Sequence, residues 1–276
     1  MIERNTVWGW PVVVEMTLLA IASFAVVWAY YFWRRGDTKY AAVGGVLGVL
    51  FPAIALGILA SELLKPPTAG VLVLPIFNPN ANFASWMVWG ATGISLLILW
   101  SLLFTAPMIR PLARIAVWGR NRAVMNVLGL LMAAFGVFVA LYTGLLLAYE
   151  RGIPFWHSAN VPLLTLFMGL AAGSGLYALL GKTEAGRWTA IGSGLTALTY
   201  GAHLHLSSLG PSAAVFSAAG AMSDPLTTGG LILALAAAAL TAWGKKPALA
   251  AGGALAIIAV LLIRASLILL GAWEFP

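Results

Sequence analysis

Eight long apolar stretches set what this chain can fold into, each near the ~20 residues that the hydrocarbon thickness of a bilayer demands. They lie at about 11–33, 40–62, 84–105, 123–149, 160–181, 186–209, 228–244 and 248–270, the seventh being short and rich in Ala. Residues between them cannot build a soluble surface, because the 276-residue chain is 62% hydrophobic and only 8% charged. Backbone groups in lipid must be satisfied internally, and the strict alternation of a barrel strand is absent, so the stretches read as helices. The expected fold is an all-α integral membrane protein: a single polytopic domain over residues 1–276, with eight transmembrane helices in two packed four-helix bundles. The first stretch reads as a retained span rather than a cleaved signal peptide. Glu3 stands beside Arg4 in its flank, and the apolar run continues past Ala22 to Arg34-Arg35.

The charged residues orient the spans. Arg34, Arg35 and Lys39 follow the first, Arg110, Arg114, Arg120 and Arg122 the third, Lys182 and Arg187 the fifth, and Lys245 and Lys246 the seventh. Only Arg4, Lys65 and Arg151 fall on the other side. By the positive-inside rule both termini face outward in a multi-pass protein of the cytoplasmic membrane. The net charge of +7 is therefore loop charge beside lipid, not a nucleic-acid footprint. Outer connections at about 63–83 and 210–227 read as long loops rich in Pro, Asn, Gly and Ser. Trp8, Trp10, Trp33, Trp86, Trp118, Trp156, Trp188 and Trp273 near span ends read as an interfacial aromatic belt. Gly44, Gly45, Gly48, Gly169, Gly173 and Gly175 read as close-packing positions between helices.

With that orientation, the titratable residues inside spans cluster at one depth, in the outer half: Glu15, Glu62, Tyr142, His203, His205 and Arg264, with Lys65 just beyond. Ionisable groups in a membrane are costly and mark function by default, so these residues read as a polar pocket opening outward. Each has a plainer alternative. Glu15 can snorkel or stay protonated; Glu62 and Lys65, three residues apart, can be a weak interfacial ion pair; Arg264 can snorkel along its stem or hold a carboxylate or carbonyl oxygen. A Tyr142 hydroxyl in hydrocarbon needs a partner, since leaving it unpaired costs of the order of 2–7 kcal/mol. His203 and His205 point about 200° apart on a helix, so one at most faces a given pocket. His157 reads as a wetted loop residue.

Zero cysteines exclude iron–sulfur ligation within this chain. Two of the three histidines share a helix and the third is in a loop. The facing imidazole pair of a membrane cytochrome b is therefore not expected, and no metal site is assigned. Electrons could enter only through an organic carrier.

The stretch around the fourth and fifth spans carries Tyr142-Thr143-Gly144, then Arg151-Gly152-Ile153-Pro154-Phe155, Pro162-Leu163-Leu164 and a Gly/Ser-rich helix. It resembles the membrane subunit of polysulfide and nitrite reductase complexes, the NrfD/PsrC-like family. Trp8-Gly9-Trp10-Pro11 resembles that family's opening Trp-x-Trp-Pro, Glu62-Leu63-Leu64-Lys65-Pro66 its His-Leu-x-Arg/Lys-Pro, and Leu262-Ile263-Arg264 with Gly271 its last helix. The resemblance implies an eight-helix subunit with a quinone site near the outer face. It also implies a ferredoxin-like iron–sulfur partner docked above that site and a molybdopterin catalytic subunit beyond it. Tyr142, Lys65 and Arg264 are the implied quinone-site residues, with Glu62 at the family's histidine position. Two departures stand out: Gly9 lacks the polar side chain often found there, and Glu62 replaces a histidine. Glu15, one turn further in, is the candidate replacement for the missing polar group.

The expected function is a quinone-reactive membrane anchor of a respiratory oxidoreductase complex. Glu15, Glu62 and His203 are its proton-handling candidates, and Tyr142, Lys65, Arg264 and His205 its quinone-binding candidates. The quinone type, menaquinone or other, is open. The alternative is a secondary transporter or proton channel, which would need a polar path across the inner halves. There the sequence offers only Asn126 with scattered Ser and Thr, and Pro52 as the one strong helix interruption. A plain anchor without quinone is the third reading.

Overall fold

A computed structural model describes residues 3–4, 8–62, 83–150, 152–271 and 273–274; for Glu62 and the residues at 3–4 and 273–274 it gives the backbone only. Apolar composition makes long helices: α1 Trp10–Arg34, α2 Thr38–Glu62, α3 Trp86–Thr105, α4 Arg122–Tyr149, α5 Asn160–Leu179, α6 Thr183–Ser208, α7 Ser212–Ser223, α8 Pro225–Trp243 and α9 Lys246–Ala265. A π-helical turn, Ser266–Leu270, extends α9. Seven of these helices are long and apolar enough to cross a membrane. The exception among the long ones is α6, whose 26 residues carry Thr, Ser, Glu, Arg and both helical histidines. α2 continues unbroken through Pro52.

The long helices pack as two rings. In the first, α1, α2, α3 and α4 adjoin in cyclic order; in the second, α5, α6, α8 and α9 do. α1 and α4 lie against α5, and α1 also meets α9, so α1 sits at the seam between rings. Its interior face, including Val13, Ala22, Ala25, Val26 and Ala29, is fully buried. Small residues permit the approach: a Cβ on Gly175 would stand 2.9 Å from the Gly253 carbonyl oxygen of α9.

The two ends of the bundle are closed differently. At the end carrying the basic loops, Gly36, Gly181 and Gly244 take positive φ after α1, α5 and α8, where a side chain would be strained. Lys182 bridges to Asp37 at 2.8 Å, the Tyr177 hydroxyl donates to the Tyr40 carbonyl at 2.9 Å, and Tyr30 donates to Asn126 at 2.8 Å. Asn126, expected as an isolated inner polar group, is thus a tie between α1 and α4 that also accepts from Arg34 at 3.0 Å. Asn121 caps α4 by accepting from the Ala123 and Val124 amides.

At the opposite end the strands β1 Glu3–Arg4 and β2 Trp273–Glu274 pair antiparallel, placing the two terminal segments on one face. The stretch 210–227, expected to be a loop, instead contains α7. Its Ala213, Ala214, Ala218 and Ala221 follow helical spacing and are buried, and Asp224 with Pro225 opens α8 through a 2.7 Å cap to the Leu226 amide.

Candidate functional site at the seam between the rings

α1 enters the seam from the end where the terminal strands pair, and one turn in it carries Glu15 between the buried Val12, Val13 and Met16. Glu15 is 6% exposed. α9 approaches from the second ring with Arg264, which is 1% exposed. The two charges act on each other electrostatically, yet they form no ion pair. All three guanidinium nitrogens of Arg264 are buried without a hydrogen-bond partner among the described residues. A cation held this way is expensive unless an acceptor is supplied to it.

Tyr142, on α4, adds a third group. Its ring lies on the backbone of Gly90, where any Cβ would overlap the phenol, and stacks on Phe138 with centroids 6.3 Å apart. It is buried, and Glu15 is its electrostatic neighbour. The partner expected for its hydroxyl is not a direct hydrogen bond among the described residues. Gly90 therefore serves as the socket that lets a full phenol ring reach the seam.

His203 on α6 is completely buried, with neither ring nitrogen hydrogen-bonded among the described residues. Phe155 packs edge-on at 4.7 Å and Tyr200 lies one turn away at 6.4 Å. The Tyr200 hydroxyl meets Ser266 Oγ at 2.7 Å, and Ser266 also bonds Thr227. This chain of hydroxyls starts two residues after Arg264, at the π turn. His205 points the other way and is exposed, so the structure does not bring it to the seam. Glu62 ends α2, its side chain outside the described residues, and Lys65 lies wholly outside them. His157 is exposed, with Nδ1 2.8 Å from the Ala148 carbonyl oxygen.

Trp156 corrects the interfacial reading. It is fully buried, and its indole N–H donates to the Leu267 carbonyl at 2.7 Å. Trp8 meets it edge-on at 5.1 Å. A π turn breaks the regular carbonyl ladder and commonly marks functional sites; here Trp156 takes up one of its carbonyls. Gly271 makes room, since a Cβ there would stand 2.6 Å from the indole nitrogen. The turn Ile153–Trp156 thus closes over the helix that carries Arg264. The available signal was its position inside the Pro154-Phe155-Trp156 turn, which composition near span ends obscured.

A carboxyl, a guanidinium without an acceptor and a phenol, drawn from three helices, can bind an oxygen-bearing polar ring and exchange protons with it. Among the described residues no three His, Asp or Glu side chains converge as metal ligands. No curated protein matches the chain. The family model described as polysulphide reductase, NrfD, matches residues 2–190, which include Glu15, Glu62, Lys65 and Tyr142 but end before His203 and Arg264. With more than two thirds of its length matched, this chain belongs to the polysulphide reductase NrfD family.

Proposed function

We propose that the chain is the quinone-reactive membrane subunit of an oxidoreductase complex, its site at the seam formed by Glu15, Tyr142 and Arg264. The observation that carries this reading is the buried Arg264 guanidinium, an electrostatic neighbour of Glu15 with no hydrogen-bond partner for its three nitrogens among the described residues. A quinone ring fits that need, because its two oxygens are acceptors and the ring is apolar like the surrounding wall. When bound, a quinol supplies two electrons and two protons. Arg264 donates to one oxygen, the Tyr142 hydroxyl is the donor on the α4 side, and the Glu15 carboxylate accepts the two protons in succession, passing on the first before it takes the second. His203 and the Tyr200–Ser266–Thr227 hydroxyls stand along the second ring as a route by which both protons leave.

In this reading all eight long helices cross the membrane. α6 has the length, at ~1.5 Å per residue, and an even number of crossings agrees with paired terminal strands. The basic loops face the cytoplasm, so the seam opens at the outer face. With no cysteine in the chain, electrons pass to a partner. Family membership supports an iron–sulfur subunit of ferredoxin type docked on that face, followed by a molybdopterin catalytic subunit.

The test is quinol-dependent reduction of the partner's clusters in the intact complex. Arg264→Gln, Glu15→Gln and Tyr142→Phe should each lower it, Arg264→Gln by about 10- to 100-fold, as loss of a charge-assisted hydrogen bond implies. Full activity in all three variants, with assembly unchanged, removes the assignment.

A further inference from the structure

A cavity lies at the other end of the bundle, far along α1 from Glu15. Phe24, Val27, Trp28 and Tyr31 of α1, Leu170 of α5, and Glu184 and Trp188 of α6 enclose about 400 Å³ of apolar space. A polar depression of about 320 Å³, lined by Thr183, Glu184, Arg187 and Trp188, adjoins it and shares Glu184 and Trp188 as a common wall. One compartment is thus oily, the next is charged, and Trp188, 50% exposed, stands between them as interfacial tryptophans do.

The charges at the mouth are mixed. Glu184 and Arg187 are both exposed and form no ion pair with each other; the described ion pair nearby is Lys182 with Asp37. Arg35 is held over the Tyr31 ring at 5.2 Å, adding a second cation beside a cavity wall. Lys182 is occupied by Asp37 and by the rings of Tyr40 and Phe32, at 3.5 and 4.9 Å, so it is not free for a ligand. A purely anionic ligand would meet Glu184 unfavourably, and a purely cationic one would meet Arg187 and Arg35.

We propose that this paired cavity binds one zwitterionic phospholipid with a primary-ammonium headgroup. Its acyl chain occupies the apolar cleft, its phosphate faces Arg187 and Arg35, and its ammonium faces Glu184. Arginine suits the phosphate through parallel N–H donors, and a primary ammonium offers Glu184 hydrogen bonds that a quaternary one lacks. Basic pockets beside spans at the cytoplasmic face hold anionic headgroups; the carboxylate of Glu184 beside Arg187 turns this one toward a headgroup that also carries a cation.

The test uses the purified full chain in detergent, given equal amounts of phosphatidylethanolamine, phosphatidylcholine and phosphatidylglycerol with identical acyl chains. Native mass spectra read which lipid stays bound. Phosphatidylethanolamine should be retained over each of the others by about threefold, as an exposed ionic contact implies. Glu184→Gln should abolish that preference, and Arg187→Gln should weaken retention of all three lipids. Both side chains are exposed, so neither change threatens the fold. Equal retention of the three headgroups, a preference for phosphatidylglycerol, or an unchanged preference in both variants would overturn the proposal.

Discussion

The two ends of this bundle treat their charges in opposite ways. At the basic-loop end Lys182 meets Asp37 at 2.8 Å and packs on two aromatic rings, while Arg34 meets Asn126 and Tyr30. At the seam near the paired terminal strands, Arg264 and His203 are more deeply buried and have no hydrogen-bond partner among the described residues. Groups that hold helices together find each other, because folding selects the pairing. On the function proposed above, the groups left unpaired at greater depth are the ones that meet the ligand. Among the ionisable groups of the described residues, burial without a hydrogen-bond partner, rather than charge alone, sets Arg264 and His203 apart from the scaffold.

The sharpest way to break this contrast is to remove the seam charges together. Arg264→Met alone should abolish quinol oxidation without lowering stability, because it removes a buried cation that has no hydrogen-bond partner among the described residues. Adding Glu15→Gln should leave stability intact and activity lost, measured by thermal unfolding in detergent beside turnover. A loss of about 3–5 kcal/mol in the single variant that the second change restores would show the two groups to be a scaffold pair. Next in size, Gly90→Ala should cost about 1–3 kcal/mol by driving a methyl into the Tyr142 ring, and activity should fall with it. Gly57→Ala, whose Cβ meets nothing within 4 Å, should be silent in both assays.

A smaller effect is expected at the lid. Trp156→Phe removes the donor to the Leu267 carbonyl, costing about 1 kcal/mol, and quinol oxidation should weaken through a displaced Arg264 rather than vanish. The smallest belongs to the basic end. The Lys182 hydrogen bond holds the Asp37 carboxyl below its usual range. Its contribution is therefore complete above the carboxylate's unfolded value and is lost as pH falls through the lower folded value. Asp37→Asn should lower the unfolding temperature slightly at neutral pH, with the difference shrinking in acid and in high salt.

The apolar runs made the spans legible, since each helix in lipid must be long and self-satisfied. The shared depth of Glu15, Tyr142 and Arg264 toward one end of the bundle followed from counting along those runs, and the divergence of His203 from His205 from a 100° step. What escaped was of two kinds. α7 hides in a Ser-, Gly- and Ala-rich stretch that reads as loop by composition, although 213, 214, 217, 218 and 221 repeat helically. Trp156, and the approach of Arg264 to Glu15, depend on contacts between helices far apart in the chain, and no local pattern encodes them.

The pairing of β1 with β2 has a consequence for how this protein is made. It ties the entry to α1 to the exit from α9, so the helices bearing Glu15 and Arg264 come together only after α9 has been made. For most of membrane insertion the Glu15 helix waits with one wall of its pocket missing, and no truncated chain lacking α9 contains the site. The strand pair can form only once α9 is in place: a partner subunit recognising that face would meet it only on chains that already carry both Glu15 and Arg264.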